Sequence, residues 1–260
     1  ATLQRYGWEI IQPASGRLAC GAVGKGKMPE PEELLAYVDH AVGHEKDMEG
    51  LRVLVTAGPT REALDPVRYL TNHSTGTMGY AIAKAAASRG ATVTLVSGPT
   101  QLSTPVHVER VDIRSAQDMF EAVTSRFDQQ DIVIKAAAVA DYRPAVQAEE
   151  KMKKSGDDLA LELVRTQDIL AWLGQHKAPG QFLCGFSMET QDMVENSRKK
   201  LEKKNLDLIA ANNLKQEGAG FGTATNVLTL IDHQETVELP LMSKEAAAHA
   251  LLDRILEKRS

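Results

Sequence analysis

Between Arg52 and Gly79 the chain reads RVLVTAGPTREALDPVRYLTNHSTGTMG, a stretch rich in residue types that hold phosphorylated ligands. Gly58, Gly76 and Gly79 allow close backbone approach. Thr60, Ser74 and Thr75 offer hydroxyls, Arg61 and Arg68 offer fixed charge, and His73 adds an imidazole. Asn72 is uncharged and can both donate and accept; its bland alternative is a turn amide. A glycine-rich turn that feeds a helix N-terminus cradles anions, because free N–H groups and the helix dipole point at the ligand. Farther along, Asp141 follows an all-small run that begins at Ala136 and Ala137. Backbone can come close to a ligand there, and the carboxylate suits a ribose hydroxyl or a cation, or is simply a surface turn residue. Lys151, Lys153 and Lys154 can reach phosphates as mobile point charges, or be a solvated run. Lys200 and Lys204 are four apart and share a helix face, toward phosphates or toward water.

The elements that position these groups follow from periodicity. Arg52–Thr56 is a short branched run, read as a buried parallel strand. About twenty residues without periodic pattern follow, a length typical of functional loops. Then comes a helix from Met78 to Arg89. Strands are expected at Thr92–Ser97, Val106–Val111, Asp131–Lys135, Leu159–Val164, Phe182–Phe186 and Leu206–Ala210. Helices are expected from Ser115 as cap to about Phe127, from Gln167 to Gln175 with Thr166 as cap, and over Asp192–Lys204. Asn226–Ile231 and Thr236–Leu239 form a late hairpin after the Gly218–Gly222 loop, and Ser243 caps a last helix, 244–258. This alternation predicts an α/β fold, a Rossmann-like and mostly parallel sheet with helices on both faces. Both the first loop and the Ala136–Asp141 run then lie beyond the carboxyl ends of strands, where such sheets bind ligands.

The first 43 residues differ. A strand at Trp8–Ile11, a glycine-rich run and an amphipathic helix over Pro31–Val42 are too little for a core of their own. His44–Gly50 is polar and reads as a linker. The remaining residues suffice for one large domain. A net charge of −5 does not favour a nucleic-acid partner. No run approaches a membrane span, no signal peptide opens the chain, and Cys20 and Cys184 give no disulfide framework, which together suit the cytoplasm. No zinc-type spacing, hydrolase elbow or kinase signature occurs. A dinucleotide turn would need Gly-x-Gly soon after the strand and an acidic residue after the second strand; both are missing. The residues by themselves define an enzyme that handles a nucleotide and an anionic substrate, and do not name the reaction.

The run TAGPTREALDPVRYLTNHSTGTMG, followed in order by AAAVADY, EKMKK, GFSMET and KKLEKKNLDLIAAN, closely resembles bacterial phosphopantothenate–cysteine ligase. The resemblance spans about residues 50–260. ACGAVGKGKMPEP resembles the end of the phosphopantothenoylcysteine decarboxylase domain, which many bacteria fuse ahead of the ligase. The resemblance implies three parts: a decarboxylase remnant at 1–43, a linker at 44–50 and the ligase at 51–260. It implies a homodimer that joins 4′-phosphopantothenate to L-cysteine in coenzyme A biosynthesis, using CTP and Mg²⁺ and passing through an acyl-cytidylate. The late hairpin is then a candidate for reaching a partner subunit.

By the same resemblance, Asn72 assists the second half-reaction and Lys151 stabilises charge at the α-phosphate. Ala136, Ala137, Asp141, Phe186, Lys200, Lys204 and the turn Asp168, Ile169, Leu170, Ala171 belong to the CTP site, and Gly58, Ser74 and Gly76 shape the phosphate loop. Metal ligands are not assigned. Thr75, Thr77 and Gln167 depart from the family's frequent Ser, Lys and Pro. Cys20 matches the decarboxylase's catalytic cysteine, but Ala22 and Lys27 replace a usual Asp and Arg, and the flavin-binding bulk of that domain has no counterpart here. FMN is therefore expected only for that domain, and Cys20 is expected to be structural or part of a disordered relic. Two rivals are a nicotinamide-dependent reductase on the same sheet and a non-catalytic nucleotide-binding module.

Overall fold

The computed structural model describes residues 2–153, 159–189, 192–213 and 223–259. Lys154 and the Gly218–Gly222 loop lie outside the described residues. The centre is an eight-stranded sheet. In chain order its strands are β1 (Arg52–Ala57), β2 (Thr92–Ser97), β3 (Val108–Asp112), β4 (Ile132–Lys135), β5 (Phe182–Glu189), β6 (Leu208–Asn213), β7 (Leu228–Ile231) and β8 (Thr236–Glu238). Across the sheet they run β3-β2-β1-β4-β5-β6-β7-β8. The first six are parallel, and β7 and β8 add an antiparallel hairpin at the β6 edge. This is the doubly wound, Rossmann-like order, with its switch point between β1 and β4.

Among the described residues, helices of eight or more residues accompany it: α1 (Pro31–Val42), α2 (Thr77–Ser88), α3 (Ala116–Thr124), α4 (Ile169–His176), α5 (Met193–Lys203) and α6 (Lys244–Arg259). Alternate strand residues feed two cores. Val53, Val55, Ile132 and Ile134 face α2 and α6, where Ile82, Ala86, Leu251 and Leu252 are buried. Leu54, Val133 and Leu183 face the other way, toward Met119, Leu173 and Leu201 of α3, α4 and α5. Burial on both faces is why the strands read as unbroken apolar runs. Each enclosed Val, Leu or Ile contributes about 1.5–3 kcal/mol.

Local chemistry sets the helix starts. Ser115 and Asp118 form a reciprocal capping box at α3. Ser243 Oγ accepts from Ala246 N at 3.1 Å and opens α6. At α4 the cap is Asp168, which accepts from Ala171 N at 3.0 Å, rather than Thr166. Thr166 is spent elsewhere: its hydroxyl donates to Ala140 O at 2.7 Å. Two further expectations shift. Leu159–Val164 narrows to a strand at Leu163–Arg165, which pairs with Tyr142–Pro144. The loop after β1 contains its own small hairpin, Arg61–Ala63 against Tyr69–Thr71.

In the first 43 residues the helix α1 stands where expected, but Trp8–Ile11 is not a strand. No neighbouring strand pairs with it, and Trp8 and Ile10 are exposed. The hairpin lies instead in the glycine-rich run, Ala14–Arg17 against Val23–Lys27, with Cys20 exposed at its turn. Segment 44–50 is held to the core, since Met48 is fully buried and Asp47 accepts from Arg89 Nε at 2.8 Å.

Candidate nucleotide and phosphate site

The strand order leaves a crevice where β1 and β4 part company at their carboxyl ends. Beyond the sheet their extensions stay tied. Ala138 N donates to Gly58 O at 2.9 Å, and Thr60 N to Ala138 O at 3.3 Å. Thr56 Oγ1 accepts from Ala137 N at 3.1 Å, and Thr60 Oγ1 from Ala140 N at 3.0 Å. Asn72 joins this lattice through Nδ2, which donates to Ala138 O at 2.9 Å. The two loops singled out in the sequence are thus one hydrogen-bonded unit.

Gly76 precedes α2 with φ of +81°, a left-handed conformation that disfavours side chains. A Cβ there would also lie 2.9 Å from Thr100 Cγ2 and 3.2 Å from Gly58 N, so Gly58 sits directly beneath the loop. Gly79 serves packing: a Cβ would come within 2.6 Å of Ala57 Cβ, so its absence lets α2 lie close on β1.

A cavity of about 700 Å³ occupies the crevice. From the first loop it takes Asn72, Ser74 and Gly76. From the β4 exit come Ala136, Ala137 and Asp141. Asp168, Ile169 and Leu170 enter from the start of α4, and Phe186 from β5. Lys200 enters from α5 and Lys204 from its C-cap, so the helix face they share is the one turned toward the cavity. Twelve of the residues expected at the site therefore lie around one space.

Others do not line it. Gly58 lies one layer below. Ala171 contributes its N–H to Asp168. Arg61 stacks over the Tyr69 ring at 4.6 Å. Arg68 pairs with the buried Asp65, and its guanidinium holds that carboxyl well below the usual range. Lys151 is exposed and outside the cavity in a single chain. Its segment is tethered to the first loop, because Met152 N donates to Asp65 Oδ2 at 3.1 Å and Arg68 donates to Met152 O at 3.0 Å. Cys20 lies in the separate N-terminal hairpin.

The electrostatics favour an anion. Lys204 pairs with Asp168 at 2.7 Å. Burial opposes the charge of Asp168, yet Lys204 and the Ala171 N–H outweigh it and keep the carboxyl ionised below its ordinary range. Lys135, Lys244 and Asn226 are among the cavity residues that escaped sequence reasoning. Lys135 ends β4; a charge closing an otherwise apolar strand was the available signal. Lys244 is buried at the start of α6 and donates to Thr77 Oγ1 at 2.8 Å, and burial lowers its pKa. Asn226 reaches the cavity from the segment before β7. Nothing local marked Lys244, whose place depends on α6 packing against α2. Among the described residues no group of three His, Cys, Asp or Glu is placed to hold a metal.

A doubly wound sheet whose switch-point cavity is walled by lysines and a glycine cradle defines a Rossmann-like α/β protein with a crevice suited to anions. Residues 48–258 match the profile of the DNA/pantothenate metabolism flavoprotein C-terminal domain, and the chain belongs to that family. It is 48% identical over 257 residues to the coenzyme A biosynthesis bifunctional protein CoaBC of Vibrio vulnificus, covering 98% of this chain and 64% of that protein. It is 49% identical to the CoaBC protein of Bacillus subtilis, with the same coverage. The chain thus spans about 64% of the length of the curated relatives it matches. The crystal structure of a CoaBC C-terminal domain superposes with a TM-score of 0.69 at 45% identity, covering 80% of this chain and 95% of that one.

Proposed function

We propose that this chain carries the phosphopantothenate–cysteine ligase step of coenzyme A biosynthesis, with CTP as the activating nucleotide. The observation that carries the reading is the single cavity in which a phosphate cradle at the N-terminus of α2 meets the lysine-bearing face of α5. One half suits a phosphorylated acid and the other a nucleotide. Membership of a family whose relatives are named for coenzyme A biosynthesis supports the choice of acid.

In this reading the 4′-phosphopantothenate carboxylate attacks the α-phosphate of CTP. An oxygen–phosphorus bond forms, the bond to the β-phosphate breaks, and pyrophosphate leaves. The cysteine amine then attacks the acyl carbon. The carbon–oxygen bond breaks, CMP departs, and the amine proton passes to solvent. The protein's share is positioning and charge neutralisation. Lys200 and Lys204 hold the nucleotide, and Asp141 and the Ala136–Ala137 backbone fix its sugar and base. Asn72, locked to Ala138, orients the acyl group. Lys151 acts at the α-phosphate when its tethered segment, or that of a second subunit, meets the cavity. Mg²⁺ would enter with the nucleotide and offset the charge of its phosphates, with Asp141 and Asp168 as the cavity carboxylates that would face it.

Residues 1–43 are then the end of a decarboxylase domain, 44–50 the connection, and 51–260 the ligase. The working form is a cytoplasmic homodimer. No helix among the described residues is long and apolar enough to cross a membrane. The test is product analysis. CTP, Mg²⁺, 4′-phosphopantothenate and L-cysteine together should yield phosphopantothenoylcysteine, CMP and pyrophosphate in equal amounts. Failure to form the amide with folded protein overturns the reading.

A further inference from the structure

Lys135 is the last residue of β4 and stands at the switch point itself. Its neighbours in register are Thr56 of β1 and Gly185 of β5. Strand alternation sends its side chain to the side of Val133, the side that α4 and α5 cover. The charged groups that surround it come from every element there: Lys200 of α5 and Lys204 at its C-cap, Asp168 at the start of α4, and Asp141 beyond β4. Asp168 is already engaged by Lys204 and by a backbone N–H. The Lys135 ammonium has no hydrogen bond or ion pair among the described residues, yet the side chain lines the cavity. An ammonium group half withdrawn from water with no anion in hydrogen-bonding contact is costly, and a ligand that brings such an anion relieves the cost.

We infer that Lys135 binds the nucleotide's phosphate chain directly and takes up a proton as it does so. The inference rests on the ligase reading, which places the nucleotide in this half of the cavity. The electrostatics agree with the geometry. Burial, reinforced by Lys204 and Lys200, lowers the Lys135 pKa to about 8, with Asp168 and Asp141 opposing. A triphosphate beside it stabilises the charged form and raises that value again. The free protein therefore carries a partly neutral Lys135 at pH 8–9, and the complex a charged one. Proton uptake and nucleotide affinity are linked, so CTP should bind less tightly as pH rises from 7 toward 10. Nucleotide phosphates are fully ionised across this window and Asp168 stays charged, so neither supplies the effect.

The experiment is calorimetric titration of CTP with Mg²⁺ into the chain at pH 8.5, in buffers of different ionisation enthalpy. Wild type should show proton uptake, and affinity falling with pH. Lys135→Met should bind about tenfold or more weakly, as expected for one lost charge-assisted hydrogen bond, and show no uptake. Lys135→Arg keeps the charge and cannot titrate here, so it should bind well with a flat pH profile. Thermal melting of both variants confirms that they fold. Unchanged affinity and unchanged proton uptake in Lys135→Met overturn the inference while the ligase reading stands. Absence of CTP binding by wild type overturns both.

Discussion

Asn72 is held by its amide to the backbone run it would serve, through the bond from Nδ2 to Ala138 O. Asn72→Asp replaces that donor with a carboxylate facing a carbonyl. Activation should survive and the acyl-cytidylate should accumulate, with overall turnover down about a hundredfold, the usual cost of losing one positioned donor. Rapid quench with mass detection of the intermediate checks this; an unchanged overall rate would remove Asn72 from the mechanism. Lys151→Gln should instead slow pyrophosphate release with no intermediate building up. Gly76→Ala probes the cradle. Its φ of +81° costs an alanine about 1–2 kcal/mol, and the added Cβ presses on Thr100 and Gly58. Nucleotide or phosphopantothenate binding should weaken more than the melting temperature falls, which paired titration and melting curves would show.

At the scale of elements, two histidine pairs join the N-terminal segment to the core. His40 of α1 stacks on His107 at 4.0 Å, and His44 stacks on His249 at 4.1 Å. Burial first, and then the neighbouring imidazole, lowers the pKa of both His40 and His249. A depressed histidine pKa means that the undocked form binds protons first. Docking is therefore complete above the ordinary histidine value of about 6.5 and weakens as pH falls below it. Hydrogen exchange of residues 31–42, corrected for intrinsic rates, should quicken at pH 5.5 relative to pH 7.5; equal protection would contradict the assignment. The β7–β8 hairpin is anchored differently. Arg254 of α6 bonds to Asp232 at 2.6 Å, to Glu235 at 2.7 Å and to Glu257 at 2.8 Å. Arg254→Met removes these three pairs but leaves Asp232 with Lys258 at 3.4 Å and with the backbone N–H groups of Gln234 and Glu235, so it should cost about 1–3 kcal/mol, read as a drop of several degrees in Tm.

For the whole molecule, the layers were legible because the central parallel strands are buried on both sides, and glycines bound β1 and β2. Val53–Val55, Ile132–Ile134 and Leu183–Cys184 carry that signal in residue type alone. The site was half legible. Loop chemistry announced Asn72, Ser74 and Gly76, and helical spacing announced Lys200 and Lys204. The Arg61–Ala63 and Tyr69–Thr71 hairpin was not, since three-residue strands have no period to read. Arg61 and Arg68 resembled ligand clamps in sequence, and only the fold shows them holding Tyr69 and Asp65. Lys244 reaches the cavity from the far end of the chain, a placement that only helix packing decides. On the ligase reading, one cavity joins an acid to a nucleotide before any amine arrives. The direct measurement is a single-turnover assay with 4′-phosphopantothenate, CTP and Mg²⁺, without cysteine. Release of about one pyrophosphate per site, with CMP appearing only on adding cysteine, is the predicted result; no pyrophosphate until cysteine is present would contradict it.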